Sequence, residues 1–273
     1  MCAVIETDFP APPAERPGPK RRFSPLLLVM ILVALLGVGG TGFGLFRLFS
    51  YHMVTTADDT AMGTTIPREA RLVYRSAGDQ GINRGDLVVF DLSALPDSGG
   101  ERGLMLKRVI AVAGDVVSCC ENDEHHSITV NGKPVKESYV ARKPDSGLEE
   151  FIPFKAVTVP PGAIFVAGDD RTNSRDSRIY ADEPGNGAIE LSKVYGIVVG
   201  IGHVLAAEPV PRTTAFVDAG LPGEPLNDTG FVDYRNLALA GAGLFLVGFI
   251  GSIVIVARSA GKRRRAAAVP PAH

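Results

Sequence analysis

Two uninterrupted runs of uncharged, mostly apolar residues constrain this chain more than any other feature. Phe23 to Phe46 (FSPLLLVMILVALLGVGGTGFGLF) holds 24 residues, and Leu237 to Ala257 (LALAGAGLFLVGFIGSIVIVA) holds 21. Crossing a hydrocarbon core takes about 20 residues of helix at a rise of about 1.5 Å each, so both runs fit. The competing reading of the first is a cleavable signal peptide. Its apolar region is too long for that, since such regions run to about 15 residues, and a Pro-rich lead precedes it. The competing reading of the second is a buried core helix. Its glycines suit a membrane, where small residues let helices approach.

Basic residues orient such spans. Lys20, Arg21 and Arg22 precede the first, and Arg258, Lys262, Arg263, Arg264 and Arg265 follow the second. The expectation is a cell-membrane protein with both termini cytoplasmic. It comprises a tail (1–22), a first span (23–49), an extracytoplasmic domain (50–205), a linker (206–236) rich in Pro, Gly and Asp, a second span (237–257) and a basic tail (258–273). The net charge of −2 gives no basic field that would point to nucleic acid.

The outer domain offers few helical patterns. ARLVYR, GDLVVFDL, LMLKRVIAVAG, SITV, KPV, AVTV, AIFVAG and VYGIVVGIG read as strands, with a hairpin at Asn131-Gly132 and a turn at Pro160-Pro161-Gly162. The fold class is mostly β, an antiparallel domain flanked by one N-terminal and one C-terminal apolar helix. Cys119 and Cys120 are neighbours. They form a vicinal bridge or remain two thiols, and the oxidising side of the membrane favours the bridge. ENDEHH, with His125 and His126, reads as a solvated loop; zinc would need more ligands. No metal or cofactor is expected.

Lys107 stands inside an apolar strand. By alternation it shares a face with Met105, Val109 and Ala111, while Arg108 faces the other way with Leu106 and Ile110. Burial disfavours a lysine's charged form and can lower its pKa by several units, making the amine a usable general base. The strand alone leaves two blander readings open: a charge guarding a sheet edge, or one that snorkels to water. A second polar group, GDDRTNSRDSR (168–178), emerges directly from the apolar AIFVA. That position suggests side chains arranged to pair with one another.

RGDLVVF (84–90), LKRVIAVAGD (106–115), VNGKPV (130–135) and AGDDRTNSRDSR (167–178) resemble, in order and spacing, the motif boxes of type I signal peptidase, a membrane-bound Ser-Lys endopeptidase family. The resemblance covers roughly residues 24 to 202. The two spans and paired cysteines resemble its actinobacterial branch. The last box typically reads GDNRxxSxDSR, so Asp170 replaces an asparagine. The resemblance implies that Lys107 is the general base and Ser174 the hydroxyl that orients it. Asp176 and Arg178, with Arg108 and Asp169, are then the supporting ionic residues. It also implies preprotein signal peptides with small residues before the cut as substrates, bound by β-addition, beside a lipid bilayer.

The family's nucleophile sits in Ser-Met-x-Pro-Thr. The matching stretch is DDTAMGTTIP (58–67), which places Ala61 at the serine, Thr64 at the proline and Asp59 in the oxyanion region. The Gly-Asp that usually follows is Glu69-Ala70. A methyl group cannot attack a carbonyl, and losing a nucleophile removes most of the acceleration. Three readings stay open: a natural homologue without its serine, an engineered Ser→Ala change, or a neighbouring hydroxyl such as Thr60 acting instead. The first makes the chain a pseudopeptidase that binds signal peptides or regulates an active paralogue.

Overall fold

The computed structural model describes residues 24–55, 60–63, 65–77, 81–120, 127–141 and 152–267. Among them are three α-helices: α1 (Pro25–Leu48), α2 (Ala215–Asp218) and α3 (Gly230–Ala267). The chain divides into two units, one made of residues up to Val38 and from Ala242 on, the other of Gly39–Gly241.

In the first unit the two long helices meet at Gly248, where a Cβ would lie 2.5 Å from Met30 O and Ala34 N. Only a residue without a side chain permits that approach. Leu28, Leu32 and Leu35 on α1, and Leu246, Ile250 and Ile253 on α3, are exposed. Both helices are long and apolar enough to cross a membrane.

The second unit is mostly antiparallel β. One sheet has the order β1 (His52–Thr55), β2 (Arg71–Arg75), β11 (Val194–Ile201), β3 (Leu87–Asp91), β4 (Leu104–Val112), β9 (Ala163–Ala167), β10 (Ile189–Glu190), with β12 (Glu208–Pro209) beside β11. A smaller sheet runs β7 (Lys133–Pro134), β6 (Ile128–Val130), β5 (Val116–Cys119), β8 (Phe154–Thr158). Asn131 and Gly132 join β6 to β7 with φ of 53° and 74°, the paired positive angles that a two-residue hairpin of this hand requires.

The strand β4 departs from simple alternation. Arg108 pairs with Ala167 and Val109 with Val166, but Ala111 pairs with Phe165, so the register slips between Val109 and Ala111. Val109 therefore packs with Val88, Phe90 and Val166, whereas Ile110 and Ala111 both join Phe165 and Val117 in the core shared with the smaller sheet. This corrects the alternation argument: Lys107 shares its face with Val109 but not with Ala111, because a bulge adds a residue and turns the strand over. The same bulge lets one continuous apolar run serve two cores.

Composition marks 206–236 as a linker, yet the chain there packs onto the β unit. Ala215, Phe216 and Leu221 sit in the core against Phe165 and Val117. Phe231, already inside α3, is buried with Val73 and Val199. Helix α3 starts ahead of the apolar run because Asp228 accepts a hydrogen bond from the Gly230 N–H (2.9 Å), satisfying a donor that the first turn leaves orphaned. Cys119 and Cys120 are joined by a disulfide. His125 and His126 lie outside the described residues.

Candidate active site

Lys107 is on β4, between β3 and β9, so it stands in the middle of the larger sheet. Its exposure is 0%. Both bland readings of this lysine therefore fail: it neither guards an edge nor reaches water. It pairs across the ladder with Val88, and its amine donates to Leu106 O at 3.1 Å.

Arg108 pairs with Ala167. Gly168 follows Ala167, the last residue of β9. A Cβ on Gly168 would lie 2.6 Å from Ser174 Cβ and 2.7 Å from Ala61 O, and would also collide with Ser174 Oγ. Ser174 and the backbone of Ala61 therefore occupy the space where a Gly168 side chain would go. Ala61 is held there by a hydrogen bond from Asp170 N to Ala61 O (2.8 Å). It belongs to a short 3-10 turn, Thr60–Met62, and is buried. Next to it, Met62 Sδ accepts from Asp169 N (3.5 Å), and the Thr65 hydroxyl donates to Asp169 Oδ2.

Ion pairs surround this group. Arg108 donates through Nε (2.8 Å) and Nη2 (2.6 Å) to the two oxygens of Asp169, and through Nη1 to Gly85 O (2.9 Å). Both partners are buried. Burial opposes the Arg108 charge, but Asp169 outweighs it and holds the guanidinium pKa above its usual value. Arg178 makes a second two-pronged pair with Asp176, with Nε and Nη2 each 2.9 Å from an oxygen. Asp176 Oδ2 also accepts from Gly168 N (2.9 Å) and from the Ser174 hydroxyl. Its carboxyl is held below the usual range: burial pushes upward, and the Arg178 charge and these hydrogen bonds pull further the other way. The Ser174 hydroxyl thus donates to Asp176.

The structure joins Arg108 to Asp169 and Ser174 to Asp176 and Arg178, ties the backbone of Ala61 to Asp170, and sets the Thr60–Met62 turn beside β4, the strand that carries Lys107. Asp59 lies outside the described residues, as do Thr64 and the side chain of Thr60. Sequence reasoning passed over three members. Gly168 is needed for close approach. Glu137 accepts from Arg171 Nη1 at 2.8 Å. Tyr139 lies under the Arg108 guanidinium, 4.3 Å from ring centroid to Cζ. A signal for Glu137 was available. GDDRTNSRDSR holds as many Arg as Asp, but Asp170 spends its backbone on Ala61 and its carboxylate on Thr172. Arg171 therefore needs an acid from another segment.

A hydroxyl that donates to a carboxylate and two buried ion pairs lie around the backbone of residue 61, and the Lys107 amine is buried on the neighbouring strand β4. Alanine gives residue 61 a methyl side chain.

The family described as "Signal peptidase, peptidase S26" matches residues 24–201 of this chain. Signal peptidase I of Mycobacterium tuberculosis is 38% identical over 102 residues, 34% of this chain and 34% of its own. Signal peptidase I of Bacillus licheniformis is 32% identical over 156 residues, 55% of this chain and 74% of its own. A solved signal peptidase I from Enterococcus faecalis overlays at TM-score 0.31 and 24% identity, over 42% of this chain and 94% of its own. The chain spans about a third of the length of the mycobacterial relatives it matches.

Proposed function

The chain belongs to the signal peptidase family, peptidase S26, and from that premise we propose that it is a membrane-anchored pseudopeptidase. It binds the signal-peptide region of exported preproteins without cutting it by Ser-Lys chemistry. In a cutting enzyme of this design the base removes the hydroxyl proton and an acyl-enzyme forms. Lys107 is the residue for the first role, Ser174 orients it, and Asp169, Asp176, Arg108 and Arg178 hold the frame. Residue 61 has no proton to give. The observation that carries this reading is the Asp170 N–Ala61 O hydrogen bond (2.8 Å). It ties the alanine into the polar motif rather than leaving it on a displaced loop.

The basic residues flanking α1 and α3 support an orientation with both termini in the cytoplasm and the β unit outside. The partners are then preprotein signal peptides, the lipid bilayer and an active paralogue whose substrate supply this protein regulates. Exposed Met53 on β1 adds apolar surface to the β unit.

The test is incubation of the full chain in micelles with a preprotein ending in small residues before its cut site. The expected result is a co-purifying, uncut preprotein. A mature product that disappears in Thr60→Ala would instead establish a threonine nucleophile and overturn the reading.

A further inference from the structure

A concave site lies where α1 ends and α3 begins. It encloses about 730 Å³. Arg47, on α1, and Arg75, on β2, line it together with Ser50, His52 and Ser76. Asp228 is its one acid, and that charge is already committed: it accepts from Arg75 Nη1 (2.5 Å), Tyr51 OH (2.9 Å) and Gly230 N (2.9 Å). Arg47 differs. Its guanidinium lies over the Tyr234 ring at 4.9 Å and donates to Tyr234 OH at 2.7 Å. No carboxylate among the described residues pairs with it. The cavity therefore carries an excess of positive charge from its two guanidinium groups. Phe46 and Phe49 beside it are 70% and 82% exposed.

Tyr51 and Tyr234, which line the cavity beside the arginines at the ends of two apolar helices, are the aromatic type enriched at a membrane–water boundary. At that depth the abundant group is a headgroup phosphate, and planar guanidinium forks match its oxygens. We propose that this cavity binds the phosphate of an anionic phospholipid headgroup, with Phe46 and Phe49 against the glycerol and upper acyl chains. The proposal rests on reading α1 and α3 as membrane spans. Asp228, paired to Arg75, keeps the second arginine in place and the start of α3 capped.

The test uses the full chain in nanodiscs of equal parts phosphatidylglycerol and phosphatidylcholine, with the retained lipid counted by native mass spectrometry. An arginine facing an anionic surface is worth about a fivefold preference. Wild type should retain phosphatidylglycerol over phosphatidylcholine, and Arg47→Gln should lower that preference about fivefold. Lys193→Gln, outside the cavity, should leave it unchanged, and Arg47→Lys should keep part of it. Equal retention by wild type and Arg47→Gln would overturn the proposal. So would a melting-temperature rise with inorganic phosphate in lipid-free micelles that needs Arg47 and matches the rise with lipid, since the ligand would then be a soluble anion. Flotation with vesicles tests the spans separately: a protein that fails to float loses the membrane reading, whatever the cavity binds.

Discussion

Gly168 is the position where the account makes its most demanding structural prediction. An added Cβ would sit 2.6 Å from Ser174 Cβ and 2.7 Å from Ala61 O, well inside ordinary contact at about 3.5 Å or more. Neither neighbour can yield cheaply. Ser174 is bound to Asp176, which is locked to Arg178, and Ala61 O is held by Asp170 N. Overpacking of this kind costs about 1–3 kcal/mol, and breaking the Ala61–Asp170 hydrogen bond adds about 1 kcal/mol. Gly168→Ala should therefore lose about 2–4 kcal/mol in urea unfolding of the full chain in micelles, followed by β-sheet circular dichroism. Ser174→Gly removes the closest atoms, so combining it with Gly168→Ala should recover about 1 kcal/mol or more through coupling between touching residues. A Gly168→Ala loss below about 0.5 kcal/mol, the range of ordinary surface changes, with no coupling to residue 174, would refute the packing described here.

Asp169→Asn leaves the buried Arg108 guanidinium without its carboxylate and should cost about 3–5 kcal/mol, whereas Arg108→Met combined with Asp169→Leu should recover most of it; a single-mutant cost below about 1 kcal/mol by the same unfolding assay would contradict the pairing. Burial pushes the Asp86 carboxyl up to about 6, with the N–H groups of Asn83 and Leu226 pulling the other way. The folded chain then binds a proton more tightly than the unfolded one between about pH 4 and 6, so this group stabilises most below about pH 4 and its contribution, up to about 3 kcal/mol, is lost as pH rises through 6. Thermal melts should show that decline in wild type and not in Asp86→Asn; parallel pH profiles would count against it. Glu69 has φ of 54°, in the region that costs a side chain about 1–2 kcal/mol. Glu69→Gly should raise stability by about 0.5–1 kcal/mol after the glycine's larger unfolded-state entropy is allowed for, and a fall on chemical denaturation would contradict the strain.

Much of this architecture is legible in the residues themselves. The two apolar runs are helices because nothing in them interrupts a 20-residue span, and the Asn131-Gly132 hairpin is written in two residues that accept positive φ. The polar motif at 168–178 is visible because eleven mostly charged or hydroxylated residues directly follow a buried strand. What was hidden depends on contacts between distant segments. The bulge at Ile110 lets β4 serve two cores, and LMLKRVIAV reads the same with or without it. The packing of Phe216 and Leu221 is invisible in a stretch whose Pro and Gly content suggests a loose connection. Gly168 looks like any turn glycine until Ala61 and Ser174 are placed against it. The Arg171–Glu137 pair joins residues 34 apart in sequence, and local charge patterning cannot reach that far.

The most direct measurement of the central claim is cleavage of a preprotein by Ala61→Ser in single-turnover conditions. If Lys107 can act as base for a nucleophile at residue 61, the serine variant should release mature protein where the unchanged chain does not. Adding Lys107→Met should abolish that product while the fold, read by circular dichroism, stays intact. An Ala61→Ser protein that folds and binds preprotein normally but never cuts it would contradict the account.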